Sequence, residues 1–293
     1  MTVYNLGSLN IDYVYDVPHF VAPGETLSST ARRVFPGGKG LNQSVALARA
    51  GARVVHGAPV GEEGDFLIDT LAAAGVDVSR LQRMPGSCGH AIIQVLADGQ
   101  NGILLYPGTN HAVDEAYIRA YLQDACPGDI LLLQNETSGL DAAFAVAKEK
   151  GLRIAFNPSP FTAALKALPL EQVTWFFCNE IEAASLFGTA DPQAAAAAFR
   201  AAYPHSTLVL TLGGDGSCFI DAEQLLFQPI YKVKAVDTTA AGDTFTGYFL
   251  AAVTAGKAPQ DALALAAKAA AIAVSRPGAS VSIPTLDEVE TFG

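Results

Sequence analysis

The chain has 293 residues, half of them hydrophobic and only 16% charged, a composition that favours a large buried core over long disordered stretches. Its formal charge of −11 argues against nucleic acid as a partner, because that binding rests on Lys and Arg contacts to phosphate. The same field repels a free nucleotide at long range, so a nucleotide site here needs local amide donors, a few cations and a metal.

Along the chain, strand-like and helix-like segments alternate. Val3-Tyr4-Asn5-Leu6 opens the chain as a strand, with no basic segment and apolar core of a signal peptide, and no apolar run reaches membrane-spanning length. A cytoplasmic protein without a membrane partner is expected. Residues 11–36 and 88–106 read as short strands and turns without long helices, a small β lid. Residues 130–134 read as a buried strand, 140–149 as a helix stopped by Gly151, and 153–157 as the next strand. Strands at 173–178 and 207–212 follow, with helices at 180–187 and 191–202; the alanine run at 194–198 suits the latter. Residues 217–236 form a third all-β patch before the last helices. Continuous apolar strands separated by helices predict an α/β fold with a parallel sheet covered on both faces. The expected division is a core of residues 1–10, 37–87 and 107–293, with 11–36 and 88–106 as the lid.

Cys88, Cys126, Cys178 and Cys218 lie far apart with no C-x-x-C pair, so they read as free thiols in a reducing compartment. His19, His56, His90, His111 and His205 lack metal-ligand spacing and are assigned no chemistry; Trp175 reads as core.

The most informative segment is Asp237-Thr-Thr-Ala-Ala-Gly-Asp243. A strand is expected to end near Asp237 and a helix to begin near Gly242, since Phe245, Tyr248, Phe249, Ala252 and Val253 recur at helical spacing. The amides of Ala240, Ala241, Gly242 and Asp243 then head a helix, where free N–H groups and the dipole favour an anion. Asp243 alone reads plainly as a helix cap; at an anion hole it also stands where it could take a proton from an attacking hydroxyl. The cluster Gly213-Gly214-Asp215-Gly216 lacks the lysine of a phosphate-binding Walker loop and reads as a turn or a nucleotide wall. Near the N-terminus, Asn10 and Asp12 share a strand face, and an amide beside a carboxylate suits sugar hydroxyls. Pro36-Gly37-Gly38-Lys39-Gly40-Leu41-Asn42-Gln43 lets backbone approach a small polar ligand, with Lys39 and Asn42 as polar contacts and a helix starting close to Asn42.

Together these segments resemble the ribokinase (PfkB) family of carbohydrate and nucleoside kinases, over essentially the whole chain and in the same order. Residues 37–43 look like the family's first signature and 237–243 like its second, with Asn157-Pro-Ser-Pro160, Asn179-Glu-Ile-Glu182 and Thr211–Gly216 between them. The resemblance implies a Rossmann-like three-layer α/β core with a mostly parallel central sheet and a β-sheet lid. It implies ATP-dependent phosphorylation of a sugar's primary hydroxyl, with Asp243 as base and Ala240, Ala241 and Gly242 as the anion hole. Asn10, Asp12, Gly38, Lys39, Asn42 and Glu136 would hold the sugar, a set that matches ribose binding. Asn179, Thr211, Gly213, Gly216 and Gly242 would line the nucleotide, and Glu182 would act on Mg2+ through water. Asp237, Thr239, Ala273, Arg276, Gly278 and Ser282 fall on positions of a potassium site, mostly through backbone carbonyls. The unprotected edges of the lid strands imply a homodimer through the lid. Tyr13 and Tyr106 could reshape the sugar pocket, so deoxyribose, a nucleoside, fructose or a keto-deoxy sugar acid stay open as substrates. A non-catalytic sugar-binding protein on the same fold is the remaining alternative.

Overall fold

The computed structural model describes residues 1–292. In chain order the elements are β1 (Val3–Leu6), β2 (Asn10–Asp16), β3 (Ala31–Gly37), α1 (Lys39–Arg49), β4 (Val54–Gly57), β5 (Pro59–Val60), α2 (Asp65–Ala73), β6 (Gln82–Arg83), β7 (Gly89–Val95), β8 (Asn101–Tyr106) and α3 (Glu115–Tyr121). There follow β9 (Ile130–Gln134), α4 (Leu140–Lys150), β10 (Arg153–Asn157), β11 (Val173–Asn179), α5 (Glu180–Phe187), α6 (Pro192–Ala202), β12 (Thr207–Thr211), β13 (Ser217–Ile220), β14 (Leu225–Gln228), α7 (Ala241–Thr254), α8 (Pro259–Val274) and α9 (Leu286–Thr291).

Eight strands form the central sheet in the order β14-β13-β12-β11-β10-β9-β1-β4. The six from β12 to β4 are parallel; β13 and β14 add an antiparallel edge. Ile130, Leu131, Leu132 and Leu133 of β9 are wholly buried, as a strand covered on both faces requires. Two apolar layers result, one under α1, α7 and α8, the other under α3 to α6. The chain leaves β1 for β4 on one side and returns to β9 on the other. That reversal opens a crevice at the carboxyl ends of β1 and β9, the usual ligand position in such sheets.

A separate four-stranded mixed sheet, ordered β3-β2-β7-β8, rises from the core near this crevice. Its outer strands carry exposed apolar residues: Val34, Ile103, Leu104, Leu105 and Tyr106, with Leu104 67% exposed.

Three expectations shift. No strand ends at Asp237: β14 stops at Gln228, and the 229–240 segment is irregular, tied down by the Val236 and Asp237 N–H groups donating to Val274 O. The third all-β patch is therefore the sheet's antiparallel edge plus a loop. The first-signature helix begins at Lys39, three residues before Asn42, because Gly38, at φ 94°, can turn the chain directly into it.

Helices α1 and α7 cross closely where Gly247 faces Ala46; a methyl at Gly247 would collide with the Ala46 side chain and approach the Leu47 amide. Gly247→Val is expected to lower stability by about 2–3 kcal/mol through overpacking, measured by denaturant unfolding.

Candidate active site

The second signature segment folds as a loop that delivers its chain into α7. Ala240 precedes the helix in the left-handed region, at φ 61°, the one non-glycine residue there among those described. Its carbonyl accepts from both the amide and the hydroxyl of Thr244, at 2.8 Å each, which locks the turn. The Ala241 amide donates to Thr238 O at 3.3 Å, while the amides of Gly242 and Asp243 have no acceptor within the helix. Gly242 takes an ordinary helical conformation, and a methyl built on it would meet nothing within 4 Å. Neither backbone strain nor protein packing demands glycine there. The open space suits close approach of a ligand to the helix terminus.

Asp243, one step further, is 7% exposed. Asn42 Nδ2 donates to its Oδ2 at 3.0 Å and Gln43 Nε2 to its Oδ1 at 2.8 Å. Asn42 Oδ1 is buried and has no hydrogen-bond partner, an orphan acceptor beside the carboxylate. The base of α1 is pressed against the turn after β1: a Cβ on Gly40 would collide with the Gly7 and Ser8 backbone, and one on Gly38 would crowd Ser8 O and Asn10 N. Ser8 Oγ and the Lys39 amide both donate to Glu136 Oε2. Asn110 Nδ2 donates to Asn10 Oδ1 at 2.8 Å, fixing which face Asn10 presents.

Four charged groups share this end of the cleft. Burial, with Glu136 and Asp243 nearby, pushes the Asp12 carboxyl up to about 7. Burial also raises Glu136, against the opposing pull of Lys39. Burial works to lower Lys39, but Asp243, Glu136 and Glu182 together outweigh it and hold the ammonium charged. Lys39 thus stands electrostatically between the Asp243 end and the α5 terminus. Asn10 and Glu136 line a cavity of about 200 Å³ with Tyr106, His111 and Asn135. Asp12 borders a larger one of about 810 Å³, between the lid sheet and the loops at 235–239 and 277–281.

Glu182 and Asn179 form a capping box on α5. Both Glu182 oxygens accept from Asn179, at 2.7 and 3.1 Å, while Asn179 Oδ1 takes the Ile181 and Glu182 amides. Among the described residues no group of three His, Cys, Asp or Glu side chains could hold a metal directly. A Mg2+ ion at this terminus would be carried by phosphate and water, with Glu182 reaching it through water rather than as a direct ligand. Thr211 ends β12, and Gly213 and Gly216 follow in left-handed backbone, the turn closed by Leu212 N–H donating to Gly216 O at 2.9 Å. These residues border neither of the two cavities.

Asp237 joins two loops. Its Oδ1 accepts from the Thr239 amide and hydroxyl, and its Oδ2 from the Gly278 amide at 3.0 Å. These bonds outweigh burial and lower its pKa. Ala273 O is taken by the Arg276 amide, Ser282 Oγ donates to Ala279 O, and the Arg276 side chain pairs with Glu288. Of the expected cation positions, hydrogen bonds join Asp237, Thr239 and Gly278, with Asp237 as the tie between the two loops, while those of Ala273, Arg276 and Ser282 run to other groups.

Sequence reasoning assigned no role to Gln43, Ser8 or Asn110. Gln43 was visible inside the first signature segment, but nothing in the chain marks which of the polar residues of α1 are buried.

With this geometry in view, the comparisons with known proteins are decisive. The model of the pfkB family carbohydrate kinases matches residues 2–286. A ribokinase of Haemophilus influenzae is 36% identical over 300 residues, covering 99% of this chain and 98% of that protein. Two solved structures superpose over nearly the whole of both chains. The ribokinase of Thermotoga maritima gives a TM-score of 0.86 at 34% identity, covering 100% of this chain and 99% of that one. The Arabidopsis thaliana ribokinase complexed with ribose and ATP gives 0.85 at 26%, covering 99% and 97%. The chain belongs to the pfkB family of carbohydrate kinases, and it is an enzyme of that class.

Gly242→Ala is expected to leave the fold intact, or to stabilise it by about 0.5–1 kcal/mol as alanine replaces a helical glycine, while phosphoryl transfer falls; thermal melts beside kinase assays read the two effects separately. The Asp12 carboxyl gives a second expectation. Its folded pKa lies above its unfolded value, so its stabilising proton is fully present below about pH 4 and lost as pH rises through about 7. Asp12→Asn should therefore be the more stable chain at pH 8, by about 1–2 kcal/mol after solvent screening, with the gain vanishing near pH 4 in denaturant titrations.

Proposed function

We propose that this kinase transfers the γ-phosphoryl group of ATP to the primary hydroxyl of D-ribose, giving ribose 5-phosphate, with Asp243 as the general base. The observation that carries the reading is the buried Asp243 carboxylate at the head of α7, held by two amides beside the orphan acceptor Asn42 Oδ1. In the reaction the hydroxyl oxygen forms a bond to the γ-phosphorus as the bond to the β-phosphate oxygen breaks. The hydroxyl proton passes to Asp243, and ADP leaves. Asn42 Oδ1, Asn10, Asp12, Gly38, Lys39 and Glu136 receive the remaining sugar hydroxyls. The amides of Ala240, Ala241 and Gly242 would take the charge that develops on the transferring group, Ala241 by exchanging its bond to Thr238 O, a preorganised and water-poor electrostatic site. Asn179, Thr211, Gly213 and Gly216 form the nucleotide wall.

Mg2+ bound with ATP would neutralise phosphate charge, held through water by Glu182. A potassium ion would be held by backbone carbonyls around Asp237, Thr239, Ala273, Arg276, Gly278 and Ser282, where it would stiffen the loop behind the anion hole. Residues 11–36 and 88–106 act as the lid, which excludes water when sugar is bound. The exposed apolar strands of that lid would pair with a second copy, giving a homodimer. No helix among the described residues is long and apolar enough to cross a membrane. A reducing cytoplasm suits the four free cysteines.

A coupled ATP assay over pentoses, hexoses and nucleosides, with and without K+, is expected to give the highest kcat/KM with D-ribose and an increase with K+. Activity on nucleosides with none on ribose would refute the substrate. Asp243→Asn is expected to lower kcat by about 10²–10⁴-fold, the range of a lost general base.

A further inference from the structure

Beneath Asp243 lies a chain of buried amides that the reaction scheme does not use. Gln43 and Asn5 are wholly buried, Gln134 is 1% exposed and Asn157 9%. Gln134 ends β9 and Asn157 ends β10, and the two are register partners, so both reach Gln43 from below. Gln43 Nε2 donates to Asp243 Oδ1 at 2.8 Å and to Asn157 Oδ1 at 3.2 Å, and Gln43 Oε1 accepts from Gln134 Nε2 at 2.7 Å. Gln134 Nε2 also donates to Asn5 Oδ1 at 2.9 Å, and Asn5 Nδ2 donates to Gly40 O and Ser44 Oγ. Asn157 Nδ2 donates to Phe177 O.

The polarity of this chain is forced. Gly40 O and Phe177 O can only accept, which sets Asn5 and Asn157 with their amide nitrogens toward those carbonyls. Asn5 Oδ1 then draws the Gln134 nitrogen, and that nitrogen meets Gln43 Oε1. Asn157 Oδ1 likewise meets the Gln43 nitrogen. Gln43 is left with one orientation, donor toward Asp243. The opposite orientation would set an amide oxygen against a buried carboxylate, an unpaired contact that low-dielectric surroundings make costly. With Gln43 on Oδ1 and Asn42 on Oδ2, the carboxylate cannot rotate. Each oxygen keeps a lone pair for an incoming hydroxyl.

We infer that Gln43 is a positioning residue for phosphoryl transfer: oriented by Gln134 and Asn157, it fixes the rotation of the Asp243 carboxylate so that a free lone pair meets the substrate hydroxyl. The inference rests on the reading of Asp243 as the base. It adds a group that acts through Asp243, without contact to sugar or nucleotide, and traces that group's orientation back to the central sheet. A network serving only to seat α1 on the sheet would cost stability when cut and would affect turnover independently of Asp243.

The test is a double-mutant cycle on the full-length enzyme with Gln43→Met, Asp243→Asn and the double variant, assayed with ATP and D-ribose, or with whichever sugar of the panel gives the highest kcat/KM. Gln43→Met is expected to lower kcat about 10- to 100-fold while the sugar KM changes less than about threefold, as for a reacting group displaced by a fraction of its reach. In the Asp243→Asn background the same change should cost nothing further, because the group it positions is gone. Gln134→Met, which keeps the Asp243 contact but frees the Gln43 amide to turn, should give a smaller loss of kcat with the same KM pattern. An unchanged kcat in Gln43→Met, or an equal loss in both backgrounds, overturns the positioning role. If Gln43→Met gives no cooperative melt, the cycle is run with Gln134→Met and Asp243→Asn under the same criteria. Wild-type turnover by Asp243→Asn alone would instead overturn the base itself, so the two failures are separable.

Discussion

The structure turns on one contact: the two side-chain amides of α1 that hold the carboxylate at the head of α7. Asn42 and Gln43 come from the N-terminal third of the chain and Asp243 from the last fifth, 201 and 200 residues away respectively. For the contact to exist, α1 and α7 must cross closely, which Gly247 permits against Ala46. The start of α1 must also be pressed onto the turn after β1, which Gly40 permits against Gly7 and Ser8. A side chain at Gly247 would push α7 from α1, and one at Gly40 would push the start of α1 off the turn after β1. The sheet supplies the rest, since the crevice between β1 and β9 sets Glu136, Asn10 and the base of α1 around one opening.

Charge in the cleft follows from the same geometry. Three carboxylates, Asp12, Glu136 and Asp243, converge where water is scarce, and a cleft so acidic would repel phosphate. Lys39 offsets this from the first turn of α1, and its charge is reinforced by the carboxylates around it. The cation comes from the glycine segment and two of the acids from later in sequence, so the balance exists only in the folded chain. An overall charge of −11 is thereby compatible with a nucleotide ligand: the field is acidic at long range, while lysine and helix-terminal amides act at short range.

Much of the fold was legible because its strands are fully buried and its helices carry sharp stops. The strands at 130–134 and 153–157 and the helix at 180–187 needed only an apolar run and a Gly or Asn boundary, and the structure has the same bounds. The segment before Asp237 was misread as strand because its residues suit one, whereas the sheet ends at β14, which pairs with β13 alone, and the chain then departs. Asp243 was legible as a helix-terminal carboxylate next to small residues. Its two amide partners were not, since Asn42 and Gln43 carry no mark saying which buried group they meet.

The sequence by itself determined the α/β alternation, the small-residue loop at a helix head and the polar glycine segment near the N-terminus, because such signals are local and set by backbone sterics and periodicity; the family followed from the resemblance of those segments in their order. Only the tertiary structure decided that Asp243 is gripped at both oxygens, that Asn42 keeps an unpaired acceptor beside it, and that Gln43 is turned by Gln134 and Asn157. Those facts depend on which buried polar groups the sheet and the helix crossing bring within 3.2 Å of each other, and buried hydrogen bonds between distant residues leave no periodic trace in the chain.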